Sequence, residues 1–338
     1  DQFKYIETGP GLYIRVYEIN EMYELWIGGS WIDEDPMYIY LALADDLDTR
    51  IDIRDGGVTD FIGADHSSVL LSKAINEAIL TENKPSKPDG LYHCASFVLL
   101  DQKGLSGTPT VDSSDHTQMV TVYGLALHQG FGYSGGTFHD VSGSHIPVAI
   151  TFEIVGGKYV LKEYWTPRDG SYYVQDVRDK FPDEVEDEAL DTQKYILAQK
   201  QTCYDQGVRY GGVDTYSAVE HLFEVIESSP ATSSRPADYI DAHSIEYREL
   251  MYYGDYTLQY IFSKFHLEGN QTGLRGQLMR IALDDLAPEA QFRLHAETGQ
   301  AYFDEWKAGA LQISEQHDME WIKENQPAIY LLLRMINE

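Results

Sequence analysis

Cysteine is nearly absent from this chain. Its 338 residues hold two, Cys94 and Cys203, and no C-x-x-C, which excludes a zinc ribbon and a thioredoxin-type motif. The expectation is two buried thiols; a bond between them would require the fold to bring them together. Basic residues are also scarce. Twenty-five Lys and Arg stand against 55 Asp and Glu, a net charge of −30. A field of that sign repels phosphate backbones and anionic bilayers, so nucleic acid is not an expected partner, while a cationic ligand is admitted. No apolar run approaches the roughly 20 residues of a transmembrane helix. The chain opens on Asp1 rather than Met, so any leader, anchor or membrane span is expected in a segment upstream, and membrane association only through that segment.

Several catalytic signatures are missing as well. None of the eleven histidines is followed by glutamate, so the H-E-x-x-H zinc-peptidase helix is absent. No lysine has a serine three residues before it, and there is no K-T-G. Acylation by the penicillin-recognising serine mechanism therefore has no residues to run on. Gly132-Tyr133-Ser134-Gly135-Gly136 has the G-x-S-x-G spacing. A nucleophile elbow needs strand, turn and helix, whereas the following Gly- and Ser-rich residues predict a loop between strands. The acidic run Asp45-Asp46-Leu47-Asp48 lacks the glycine at position six that an EF-hand turn requires; Ile51 stands there. No cofactor motif is found. Carboxylate pairs for glycoside hydrolysis cannot be picked out by spacing among 55 acids.

What is abundant is tyrosine, 25 residues against 12 Phe and 5 Trp. Its apolar body and polar tip suit core rims and binding grooves. The first half reads as strands: Leu12–Tyr17, Tyr23–Ile27, Met37–Leu43 and the alternating Ile51–Arg54, then Tyr92–Leu100, Thr117–His128, Ile146–Ile154 and Tyr159–Trp165. Gly156-Gly157 signals a tight hairpin. Helical spacing appears over Ser67–Leu80, with Asp65, Ser67 or Ser68 as candidate caps. Beyond Pro167 helical patterning takes over. An acidic first turn at 183–188 suits a helix dipole. Gly211-Gly212 ends one helix, and Asp214 or Thr215 caps the next. Further helices are predicted over His243–Phe265, Leu274–Leu286, Pro288–Lys307 and Glu315–Ile336, with Pro327 as a kink or break. The predicted class is α+β. An antiparallel-sheet unit with a packed helix, of cystatin or NTF2-like outline, fills residues 1–172, and an all-helical domain fills 173–338.

The one local polar cluster is His139, Asp140 and His145, in what reads as a Gly-rich loop. Two imidazoles and a carboxylate can bind a ligand or do acid–base work, although polar residues on a surface loop are the commoner meaning of such a pattern. The segments Ser144–Glu153, Leu161–Tyr173, Leu190–Gln199 and Glu246–Leu258 together resemble the C-terminal extracytoplasmic region of BlaR/MecR-type membrane metallopeptidases (the M56 family) of Gram-positive bacteria. The likeness spans roughly residues 115–338. It rests on wording rather than on a catalytic motif. It implies a membrane-anchored sensor that holds its zinc peptidase elsewhere, while the missing S-x-x-K and K-T-G put β-lactam acylation in doubt. The expected function is a non-catalytic extracytoplasmic sensor or ligand-binding domain for a small ligand or cell-wall component. The alternatives are a secreted cell-wall hydrolase and a protein-interaction module using the helical half.

Overall fold

The computed structural model describes the backbone of residues 3–9, 12–19, 22–29, 39–43, 46–53, 58–85, 87, 89–104, 118–134, 137–155, 158–290, 292 and 296–337, and side chains from Leu70 onward. It divides into two compact units. One comprises residues 1–74, 105–117 and 154–159; the other comprises 75–104, 118–153 and 160–338.

In the first unit, β1 (Phe3–Gly9), β2 (Leu12–Ile19), β3 (Met22–Gly29), β4 (Ile39–Leu43) and β5 (Asp46–Ile53) form an antiparallel sheet in sequence order. Each strand pairs with the next. Tyr13 pairs Gly28 and Glu24 pairs Leu41. The acidic run that failed the calcium-loop test enters β5, where Asp46 pairs Leu43 across a hairpin.

Helix α1 (Val58–Glu82) starts nine residues before the predicted Ser67. Its proposed caps therefore lie inside the helix. Ile75, Ala78 and Ile79 are buried at helical spacing. At its end the Ser144 hydroxyl donates to the Asn83 side-chain carbonyl at 3.2 Å. Four antiparallel strands follow, β6 (Tyr92–Lys103), β7 (Gln118–Ser134), β8 (Thr137–Val155) and β9 (Lys158–Trp165), again in sequence order. One helix and a four-stranded antiparallel sheet, then a helical half, is the architecture expected from the sequence. The strands are longer than predicted: residues 139–145 are β8, not loop. Gly135-Gly136 and Gly156-Gly157 lie outside the described residues.

The helical half holds α2 (Tyr173–Lys180), α3 (Glu186–Leu190), α4 (Ile196–Gly211), α5 (Thr215–Glu227), α6 (Pro236–Ala242), α7 (Ser244–Tyr253), α8 (Asp255–Phe262), α9 (Leu274–Leu286), α10 (Gly299–Ser314), α11 (Met319–Asn325) and α12 (Pro327–Asn337). Its boundaries follow local chemistry. Gly212 closes α4 in the left-handed region at φ 59°. Asp214 caps α5 by accepting from the Ser217 amide at 3.1 Å. Ala218, Val219, Leu222, Phe223 and Ile226 then form its buried stripe. The single helix predicted over His243–Phe265 is broken at Gly254, whose φ of 51° no α-helix accommodates. Thr257 repairs the break by donating to the Leu250 carbonyl at 2.7 Å. The helix predicted from Pro288 begins only at Gly299, where the Thr298 hydroxyl accepts from the Ala301 amide at 3.1 Å. Pro327 breaks the last stretch and starts α12, a position that needs no amide hydrogen.

Residue 172, where the sequence suggested a domain border, falls inside the second unit. There sheet and helices share one core. Cys94, Leu127, Phe131 and Phe138 from the strands pack with Cys203, Tyr204 and Val208 of α4 and with residues as distant as Leu333. Phe131 makes edge contacts with Phe138 and Tyr204, at centroid distances of 4.8 and 5.2 Å, each contributing about 1 kcal/mol beyond area burial. Gly207 permits this closeness, because a Cβ there would sit 3.2 Å from both the Phe131 and Phe138 rings.

Candidate functional site

Strand periodicity sorts the polar residues of β6 and β7 onto two faces. Cys94 pairs Gln129, Ala95 pairs His128, and His93 pairs Gly130. Cys94 and Gln129 therefore share one face, and His93 and His128 share the other.

Helix α4 lies on the Cys94–Gln129 face and is bound to it by polar groups. Gln199 is buried, and its amide donates to the Leu125 carbonyl at 2.9 Å and the Ser96 carbonyl at 3.2 Å. Gln206 donates to the Ala95 carbonyl at 2.9 Å. The next residue after Gln199, Lys200, is the hub of a polar cluster. Its Nζ donates to Asp140 Oδ2 at 2.6 Å and also to Gln129 Oε1. Gln129 in turn donates to Asp140 Oδ1, and to the Ser142 carbonyl at 2.7 Å. The ammonium also lies 5.5 Å from the centroid of the Tyr252 ring on α7.

Glu249, also on α7, feels the charge of Asp140. It is half-buried, and among the described residues no hydrogen-bond or ion-pair partner reaches its carboxylate. Burial first, then the charges of Glu246 and Asp140, raise its proton affinity. Tyr204 and Tyr253 lie close enough to feel it: burial chiefly, and then the Glu249 charge, push both phenols up. Lys200 and Asp140 satisfy each other. Among the described residues, Glu249 is the group of this set left without a partner.

The three residues singled out in the sequence divide accordingly. Asp140 belongs to the cluster. His145 flanks it, its Nε2 2.8 Å from Gln199 Oε1, and burial, with Lys200 adding, lowers its proton affinity while the Gln199 bond works the other way. His139 is exposed near the start of β8, against Gly132. Among the described residues, no three His, Cys, Asp or Glu side chains are grouped to hold a metal ion.

Lys200, Gln129, Glu249 and Tyr252 had no mark in the sequence. Their only legible trait was helical or strand spacing, and nothing in that spacing says which face meets which.

A second constellation, also unforeseen, lies on the opposite face. Asp89 accepts from His93 Nε2 at 3.0 Å, and His93 Nδ1 lies 3.1 Å from His128 Nε2, the two rings stacked at 5.0 Å. Burial and then His93 depress the proton affinity of His128. Both nitrogens of His93 are engaged. The Ser142 hydroxyl and the His93 ring both lie beside Gly130. The Asp89 and His128 contacts thus fix the orientation of the His93 ring. Ser134 ends β7, and its carbonyl accepts from the Thr137 hydroxyl at 2.9 Å as β8 begins. The element after Ser134 is a strand, not the helix of an elbow.

No family model, no curated protein and no solved structure matches this chain. Among the described residues no helix is long and apolar enough to cross a membrane.

Proposed function

We propose that this chain is a sensor-type ligand-binding domain that takes an amine-bearing small molecule or cell-wall fragment at Glu249. The observation that carries the reading is a half-buried carboxylate, without a hydrogen-bond or ion-pair partner among the described residues, whose charge is felt by Tyr204 and Tyr253 and which itself feels Asp140. An ammonium ion would neutralise it and gain the faces of the rings. The net charge of −30 draws cations toward the surface. An uncompensated carboxylate costs stability, and such costs are characteristic of binding sites. The resemblance of residues 115–338 to BlaR/MecR-type extracytoplasmic regions supports an address outside the membrane of a Gram-positive cell. In that setting the anchor and peptidase would lie upstream.

Calorimetry against di- and polyamines and amine-bearing muropeptides, each beside its N-acetylated form, tests this. Binding of a free amine that disappears on acetylation and in Glu249→Gln is expected. Equal affinity of amine and acetyl forms, or an unaltered Glu249→Gln, would overturn it.

A further inference from the structure

Cys94 and Cys203 are 109 positions apart in the chain, yet they meet at the contact of β6 with α4. The Cys94 Sγ lies 3.7 Å from the Cys203 carbonyl oxygen and 3.7 Å from that of Gln129. Both side chains are buried, at 1% and 0% exposure, and both are reduced in this structure. They are the chain's only cysteines, so neither has a competing partner within it.

We propose that Cys94 and Cys203 are a redox site, and that a disulfide between them staples α4 to the sheet when the protein meets an oxidant of the small-disulfide class. The chemistry balances as two exchanges. One cysteine thiolate attacks the oxidant disulfide, forming a mixed disulfide and releasing one small thiolate. The second cysteine thiolate then attacks the protein sulfur of that mixed disulfide and releases the other. Two protein thiols lose two protons and two electrons, and one small disulfide becomes two thiols.

Burial decides when this happens. Thiolate is the reacting species, and the Cys203 hydrogen bond together with desolvation disfavours thiolate at Cys94 in the folded state. Exchange is therefore slow in the native protein and fast in the unfolded chain. The oxidation state is set while the chain folds and is retained afterwards. Lys200 sits one helical turn before Cys203 on α4. A fixed α4 therefore also fixes the Lys200–Asp140 contact, which couples the thiol pair to the polar cluster.

The test refolds the full chain from denaturant in a reduced/oxidised glutathione buffer, and in parallel under dithiothreitol. Each sample is then unfolded and alkylated with iodoacetamide. The expected result is a species lighter by two hydrogens, carrying no alkyl group, with a Cys94–Cys203 cross-linked peptide in the digest. Its thermal midpoint should rise by on the order of 10 °C over the reduced form for a loop of this length, reversibly with dithiothreitol after unfolding. Cys94→Ser and Cys203→Ser should show midpoints that do not depend on the buffer. Two alkyl groups per chain after refolding in the oxidising buffer, or glutathione adducts that never resolve, would overturn the proposal. That outcome does not depend on whether either serine variant folds.

Discussion

Lys200 on α4 donates to Asp140 on β8 at 2.6 Å, joining a helix and a strand 60 residues apart. The lysine side chain is 14% exposed and the aspartate 37%, so solvent screens one end of the pair and not the other. A buried ammonium with no carboxylate would be costly, while the aspartate can turn to water.

That asymmetry gives the first prediction. Asp140→Ala should destabilise more than Lys200→Met, the former by about 2 kcal/mol and the latter by about 1 kcal/mol. Chemical denaturation of both single variants and the double would measure a coupling on the order of 1 kcal/mol. Equal single effects that simply add would show that the contact does not hold α4 in place.

Glu249→Gln should stabilise the ligand-free protein by about 1 kcal/mol at pH 7, because it removes an unpartnered charge from a half-buried position. The size of the gain depends on pH. Burial raises the proton affinity of Glu249 above its ordinary value of 4.5. The stability associated with its proton is thus fully present below the unfolded value and lost as pH rises through the folded one. The gain from the amide should accordingly vanish near pH 4. Thermal midpoints at pH 4 and 7 check this, and a gain that does not change with pH would contradict it.

His128 and His145 act in the opposite sense. Both have proton affinities below the ordinary 6.5, chiefly through burial. Between the folded values and 6.5 the unfolded chain binds more protons, so their contribution is complete above about pH 6.5 and lost as pH falls through the folded values. Urea midpoints should drop between pH 7 and pH 5, and His145→Gln should flatten that slope. An unchanged slope would place the acid sensitivity elsewhere.

The seat of α4 on the sheet can be tested through Gly207. A methyl group there would meet Phe131 and Phe138 at 3.2 Å, tight but short of a collision. Gly207→Ala should be nearly neutral, because the alanine gain in helix propensity offsets the crowding. Gly207→Val should cost about 2 kcal/mol through overpacking. Comparable stabilities for the two variants would mean that the rings move freely.

The sequence by itself determined the local structure, wherever the physics is local. Alternation marked the strands. Gly212 and Asp214 ended and capped helices, because a left-handed turn and an amide-accepting carboxylate act within one turn of the chain. The excess of acid fixed the sign of the field. The α+β order followed from those periods. The break at Gly254 was harder to read, since glycine inside a helical pattern is ambiguous until the partner of the Leu250 carbonyl is known. Tertiary structure alone decided which faces meet. The union of Asp140 with Lys200, the charge coupling of Glu249 to Asp140, the His93–His128 stack and the meeting of Cys94 with Cys203 all join residues far apart in the chain. Spacing in sequence carries no information about such contacts, because they depend on how the apolar faces of α4 and the sheet bury each other.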